Sequence, residues 1–140
     1  MKKILSIFIS YLAIGAGWAC QPIQDLKVGD AVWAQWTPQL WYHGRIEAEC
    51  GRGFKIRFDA QDEKCSPVEE IAKDITPTRT GVQAGMAVLA PQGDGSYVRA
   101  QVLEERGWKY AVRYKDGSTG EFSLKELRVP HSTLHPAAKR

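Results

Sequence analysis

The chain is poor in the residue types on which most catalytic and metal chemistry depends. Its 140 residues include three histidines and three cysteines, with no Cys-x-x-Cys pair and no glycine-rich phosphate loop. His131 and His135 stand four apart, but Pro130 and Pro136 argue against a helix that would align them on a metal. His43 follows Tyr42 in a strand-like segment, where a surface histidine is the ordinary reading. Ser66, Ser118 and Ser123 have no neighbouring His/Asp pattern. These absences leave no catalytic, cofactor or metal constellation, and the chain reads as non-enzymatic. Three cysteines are also too few for a disulfide-dense scaffold. A strong charge bias is missing as well: nineteen Lys and Arg face sixteen Asp and Glu, for a formal charge of +3. What remains is a globular composition, 44% hydrophobic and 25% charged.

The N-terminus departs from that composition. Met1-Lys2-Lys3 is followed by an uncharged apolar run from Ile4 to Ala16. The run is shorter than the roughly 20 residues a bilayer core requires, and fits the basic and apolar regions of an export signal. Cleavage after Ala19 puts small Gly17 and Ala19 at −3 and −1 and makes Cys20 the first mature residue. The stretch resembles a bacterial lipoprotein signal, although bulky Trp18 departs from that pattern. Lipidation at Cys20 and plain cleavage both stay open, and membrane attachment is expected only through such an anchor. Lys2 and Lys3 supply most of the positive excess, so beyond residue 19 seventeen bases face sixteen acids. The expected address is the periplasm or the cell envelope.

Self-comparison reveals a tandem repeat. Residues 26–71 align without a gap on 82–127 at a constant offset of 56. Gly29, Ala31, Val32, Ala34, Glu49, Gly51, Arg57 and Glu70 recur as Gly85, Ala87, Val88, Ala90, Glu105, Gly107, Arg113 and Glu126. Conservative pairs run between them, among them Trp41/Tyr97, Ile46/Val102, Ile56/Val112 and Phe58/Tyr114. The organisation is a signal at 1–19, units at 26–71 and 82–127, a linker at 72–81 and a flexible tail at 128–140.

Each unit reads as short strands. In the first, Ala31–Trp36, Trp41–Ala48 and Phe54–Phe58 alternate apolar with polar residues at period two. In the second, Ala87–Ala90, Tyr97–Leu103 and Tyr110–Tyr114 take their places, and Lys115-Asp116-Gly117-Ser118 has hairpin-turn chemistry. Val68–Ile71 and Leu124–Leu127 suit a closing turn. Nothing beyond the N-terminal stretch carries a long helical period. The fold class is all-β, two small antiparallel barrels in tandem, since closure removes the edges such short sheets expose.

Three features resemble the Tudor-type branch of the SH3-like barrels. They are the opening Val28-Gly29-Asp30-x-Val32-x-Ala34-x-Trp36, the strand Trp41-Tyr42-x-Gly44-x-Ile46, and an aromatic before a turn at Phe58-Asp59 and Tyr114-Lys115-Asp116-Gly117. The resemblance implies an aromatic cage for a methylated Lys or Arg, each ring contributing about 0.5–2 kcal/mol. Carried over by position, the groove of unit one comprises Trp36, Tyr42 and Phe58, with Asp59, Asp62 or Glu63 as the acidic rim; Gln61 stands where the family often has another ring. In unit two the aligned positions are Gln92, Val98 and Tyr114, and one ring does not make a cage. Trp33 faces away from Val32 and Ala34 and could seal the contact between units, whereas Trp36, Trp41 and Tyr42 cluster around the Thr37-Pro38-Gln39 loop. Export makes an unmodified peptide or a cationic envelope component a more compatible ligand than a nuclear partner.

Cys50 and Cys65 remain once Cys20 is assigned to the signal. An oxidising compartment favours pairing them. A simple hairpin register, however, sets Cys50 opposite Phe54 and Cys65 opposite Arg57, too far apart for a direct bridge. Both outcomes stay open. Unit one has six bases and eight acids and unit two six of each, so neither offers the clustered positive charge that phosphate binding needs. The expected protein is a binding or scaffolding module of the envelope with a protein or peptide partner and no nucleic acid. A purely structural envelope spacer or assembly protein without a ligand site is the alternative, with nucleic-acid binding a distant one.

Overall fold

A computed structural model describes residues 25–131. The expected signal at 1–19, Cys20, His135 and the chain from 132 onward lie outside the described residues.

Among the described residues the regular elements are nine strands and three 3₁₀ turns. Unit one contains β1 (Ala31–Gln35), β2 (Trp41–Cys50), β3 (Gly53–Phe58), β4 (Glu63–Ser66), a 3₁₀ turn at Val68–Glu70 and β5 (Ile71–Lys73). All pairings are antiparallel, in the order β5-β1-β2-β3-β4. Unit two repeats the plan with β6 (Ala87–Pro91), β7 (Tyr97–Arg106), β8 (Lys109–Tyr114), β9 (Thr119–Phe122) and a 3₁₀ turn at Leu124–Glu126. Its fifth position is a single bridge, Leu89 with Arg128, at the repeat equivalents of Trp33 and Ala72. The fold is all-β, with an SH3-like strand order in each unit.

The repeat extends to irregularities. A bulge interrupts β2 between Ile46 and Ala48, and another interrupts β7 between Val102 and Glu104. An extra residue there bends the strand and lets one strand serve both sides of a small barrel. Alternation fills the two cores: Val32, Ala34, Ile46, Ile56, Phe58 and Ile71 in the first, and Val88, Ala90, Val102, Val112 and Leu127 among those of the second. Lys55 and Arg57 point outward from β3 and pair with Glu47 and Glu63.

The barrels meet along a two-fold-like seam. Trp41 pairs with Tyr97 across β2 and β7, joining the sheets into one path. Because these residues are repeat equivalents, each faces its own counterpart, as in an isologous dimer contact. Trp41, Ala72 and Leu89 are buried there, with Trp33 and Tyr97 packed on them at a ring separation of 4.1 Å. Trp33 thus seals the contact, as its strand face suggests. Trp41 does not share the exposed loop cluster: its side chain is fully buried in the seam.

Three expectations need correction, the first being the hairpin register around Cys50 and Cys65 and not their pairing. Cys50 and Cys65 form a disulfide with a Cα separation of 5.9 Å. The register puts Cys50 opposite Gly53 and Cys65 opposite Lys55, so the simple hairpin register does not hold. The bond reaches from β2 to β4 over β3, beside a glycine whose missing side chain lets the strands close together. A Cβ at Gly53 would collide with the Ser66 carbonyl and lie 2.8 Å from the Pro67 Cα. Second, residues 128–130 are not a loose tail: Arg128 bridges to Leu89, Val129 is in the core and Pro130 is buried. Third, residues 72–81 are partly structured, since Ala72 and Lys73 complete β5 and Arg79–Gly81 form a 3₁₀ turn.

Candidate functional site

The first groove lies at the end of barrel one, where the β1–β2 and β3–β4 turns meet. Trp36 follows β1, and Lys64 Nζ on β4 holds its backbone by donating to the Gln35 and Trp36 carbonyls at 2.9 and 3.3 Å. The Trp36 ring meets Phe58 edge-on, with centroids 5.2 Å apart and planes at 82°. Phe58 is 4% exposed and forms the floor, whereas Trp36 and Tyr42 remain 40% and 37% exposed. Together with His43, Asp59, Ala60, Asp62 and Gly95 they line a cavity of about 350 Å³. Trp36, Tyr42, Phe58, Asp59 and Asp62 therefore converge. Glu63 does not line this cavity: it lies opposite Arg57 in the β3–β4 ladder, and its carboxylate pairs with Arg57 and Lys55. Gln61 occupies the turn with φ of 80°, the position at which barrel two has Gly117. Backbone geometry, rather than ligand contact, dominates that site.

Beneath the rim runs a polar chain centred on His43, whose ordinary reading is a surface histidine. The His43 ring bridges Asp59, 2.8 Å from Nδ1, and Asp74, 3.0 Å from Nε2. Asp74 also accepts from the Trp33 indole at 3.0 Å and from Arg128 Nε at 2.8 Å. Burial works to raise the Asp74 carboxyl, but the bonds from Arg128, Trp33 and His43 outweigh it and hold it below the usual carboxylate range. The chain ties the groove of barrel one to Arg128, the bridge residue of barrel two.

The equivalent place in barrel two opens a larger groove, about 920 Å³, lined by Val98, Arg99, Lys115, Tyr114 and Phe122 among others. Tyr114 and Phe122 meet edge-on at 6.5 Å, so β9 adds a ring that the aligned positions Gln92, Val98 and Tyr114 do not reveal. Burial raises the Tyr114 hydroxyl pKa, with Asp116 adding to the effect. The grooves share their walls. Gln39 of the β1–β2 loop lines the second groove, and its repeat equivalent Gly95 of the β6–β7 loop lines the first. Each site is thus capped by a loop of the other barrel.

Fold and site together define a tandem pair of SH3-like barrels with an open aromatic groove. Among solved structures, the chain is similar to the AGD34 segment of AGDP1 from Arabidopsis thaliana, with a TM-score of 0.47 and 11% identity over 74% of this chain and 82% of that one. It is also similar to the tandem Agenet domains 3-4 of ADCP1, with a TM-score of 0.47 and 11% identity over 74% of this chain and 79% of that one. No family model matches the sequence, and no curated protein does.

Proposed function

We propose that the protein is a non-enzymatic binding module that takes a cationic group of a peptide partner, methylated or unmodified, into the groove of barrel one. The observation that carries the proposal is the pairing of two half-open rings, Trp36 and Tyr42, over a buried Phe58, with Asp59 and Asp62 at the same cavity. A cation is drawn to ring faces and to carboxylates at once, and the exposed rings are free of core duties that would otherwise explain them. If residues 1–19 act as an export signal, the module works in the cell envelope, on an envelope peptide or cationic component, with or without a lipid at Cys20.

Calorimetric titration with trimethyl-lysine and with Arg-rich peptides tests this reading. Trp36→Ala and Tyr42→Ala are each expected to weaken binding about tenfold while the protein stays folded. If every cationic probe fails to bind the folded wild-type chain, the groove is structural and the spacer reading replaces this one.

A further inference from the structure

We infer that the groove of barrel two is a carboxylate-binding site, with Arg99 as its anchor and Lys115 as its outer charge. This goes beyond the cation site of barrel one and stands on separate residues.

The comparison of equivalent positions carries the inference. Arg99 is the repeat counterpart of His43, and both lie on the long second strand of their barrel. In barrel one the basic side chain is clamped between Asp59 and Asp74. In barrel two those two positions are Lys115 and Pro130. Arg99 therefore carries its guanidinium charge with neither carboxylate opposite it. Among the described residues its guanidinium has no ion pair and no hydrogen bond; it lies over the Trp41 ring, 5.3 Å from the centroid. The side chain is half-buried, and burial pulls its pKa down, with only Glu70 opposing at longer range. A guanidinium held in a cavity wall without an acceptor presents several unused donors, a fork that matches the two oxygens of a carboxylate.

The surroundings select among anions. Asp116 and Glu126 also line the groove. Asp116 already accepts from the Ser118 backbone and hydroxyl, and Glu126 from Ser123, so neither reaches Arg99 as a partner. Their charge nevertheless disfavours a dianionic phosphate. A single carboxylate beside an apolar group fits better: Arg99 and Lys115 meet the charge, and Tyr114, Phe122 and Val98 meet the apolar part. Either a chain end or an acidic side chain supplies that chemistry.

The test follows the Arg99 Nε–H and Tyr114 signals by NMR in the whole chain. The probes are acetyl-Phe-Gly with a free carboxylate, acetyl-Phe-Glu-amide, acetyl-Phe-Gln-amide and inorganic phosphate. At least one carboxylate peptide is expected to shift both signals and to bind ten times or more tighter than the Gln peptide. The tighter of the two identifies chain end or side chain. Arg99→Gln is expected to abolish the preference and Lys115→Glu to reduce affinity several-fold. Because Arg99→Gln disturbs the seam, the exposed Lys115→Glu change keeps the test decisive if that variant does not fold. Equal binding of Glu and Gln peptides, tighter binding of phosphate, or unaltered affinity in Lys115→Glu overturns the assignment.

Discussion

Where barrel one closes its corner between the second and fourth strands with the Cys50–Cys65 disulfide, barrel two places Arg106 and Glu121 at the same positions and joins them by an ion pair of 2.7 Å. Where barrel one clamps His43 between carboxylates, barrel two leaves Arg99 without one. Where barrel one sets Trp36 and Tyr42 around its groove, barrel two sets Gln92 and Val98. The inward aliphatics and the bulge, by contrast, are nearly superimposable in sequence. Close packing ties core positions to one another, whereas a groove side chain answers only to its ligand and its rim. The difference between the barrels is therefore a map of what each site has been free to change.

The sharpest way to break the comparison is to exchange residues whose surroundings differ. Gly53 and Lys109 are repeat equivalents, but only Gly53 lies against the Ser66 carbonyl. Gly53→Lys is expected to cost about 3 kcal/mol or more through overpacking against backbone, and to unfold barrel one first. The reciprocal Lys109→Gly should cost about 1 kcal/mol, the usual penalty for glycine in a strand. Urea denaturation of both variants checks the asymmetry, and equal costs would show that the close approach is not what Gly53 provides.

The corner braces come next. Cys50 and Cys65 are 15 apart in sequence, and a loop of that size corresponds to about 3 kcal/mol of stabilisation. Reduction, or a double Cys→Ser change, should lower the midpoint accordingly. Arg106→Ala should cost far less than loss of the disulfide, because its pair with Glu121 is exposed and screened by solvent. A reduced protein as stable as the oxidised one would make the disulfide incidental.

A third comparison concerns the seam. Asp74→Asn keeps the shape of the side chain and removes the charge that Arg128 and His43 meet, for an expected loss of about 1.5–3 kcal/mol. The pH dependence has a definite sign. The folded carboxyl lies below its ordinary value of 3.8, so its contribution is present above that pH and is lost as pH falls through the folded value. The wild type should thus lose stability below about pH 4 more steeply than Asp74→Asn. Parallel acid limbs in the two proteins would remove Asp74 from the seam's energetics.

Much of this architecture is legible in the sequence because it is written twice. The offset locates both cores, the turns and the rings Trp36, Tyr42 and Phe58. Strands β4 and β9 are not legible: Glu-Lys-Cys-Ser and Thr-Gly-Glu-Phe carry no apolar alternation, since edge strands on a small barrel bury little. The disulfide escapes the simple register because the chain turns tightly at Gly51-Arg52, setting Cys50 opposite Gly53, and Gly53 lets β4 close in. Trp41 and Trp36 look alike in the chain; only the pairing of Trp41 with Tyr97 separates seam from groove. The Arg99 site is missed for another reason. Its signal, a base retained while the two opposing acids become Lys115 and Pro130, becomes visible only once Asp59 and Asp74 are known to face His43.

The smallest expected effect tests the comparison at a turn. Gln61 and Gly117 are repeat equivalents with φ of 80° and 93°, and both turns carry the same bonds, Phe58 N to the Asp62 carbonyl and Tyr114 N to the Ser118 carbonyl. A side chain in that region costs about 1–2 kcal/mol that glycine does not pay. Glycine returns about half of this by widening the unfolded ensemble. Gln61→Gly should therefore stabilise barrel one by about 0.5–1 kcal/mol, a rise of roughly 2–6 °C in melting temperature. Its one side-chain bond, to the Asp59 carbonyl at 3.5 Å, is too long to offset that gain. Gly117→Gln should move barrel two by a similar amount in the opposite direction. If Gln61→Gly also leaves cation affinity unchanged, the residue serves neither groove nor frame; a loss of affinity with gained stability would instead make the strained turn the device that holds Asp59 and Asp62 at the rim.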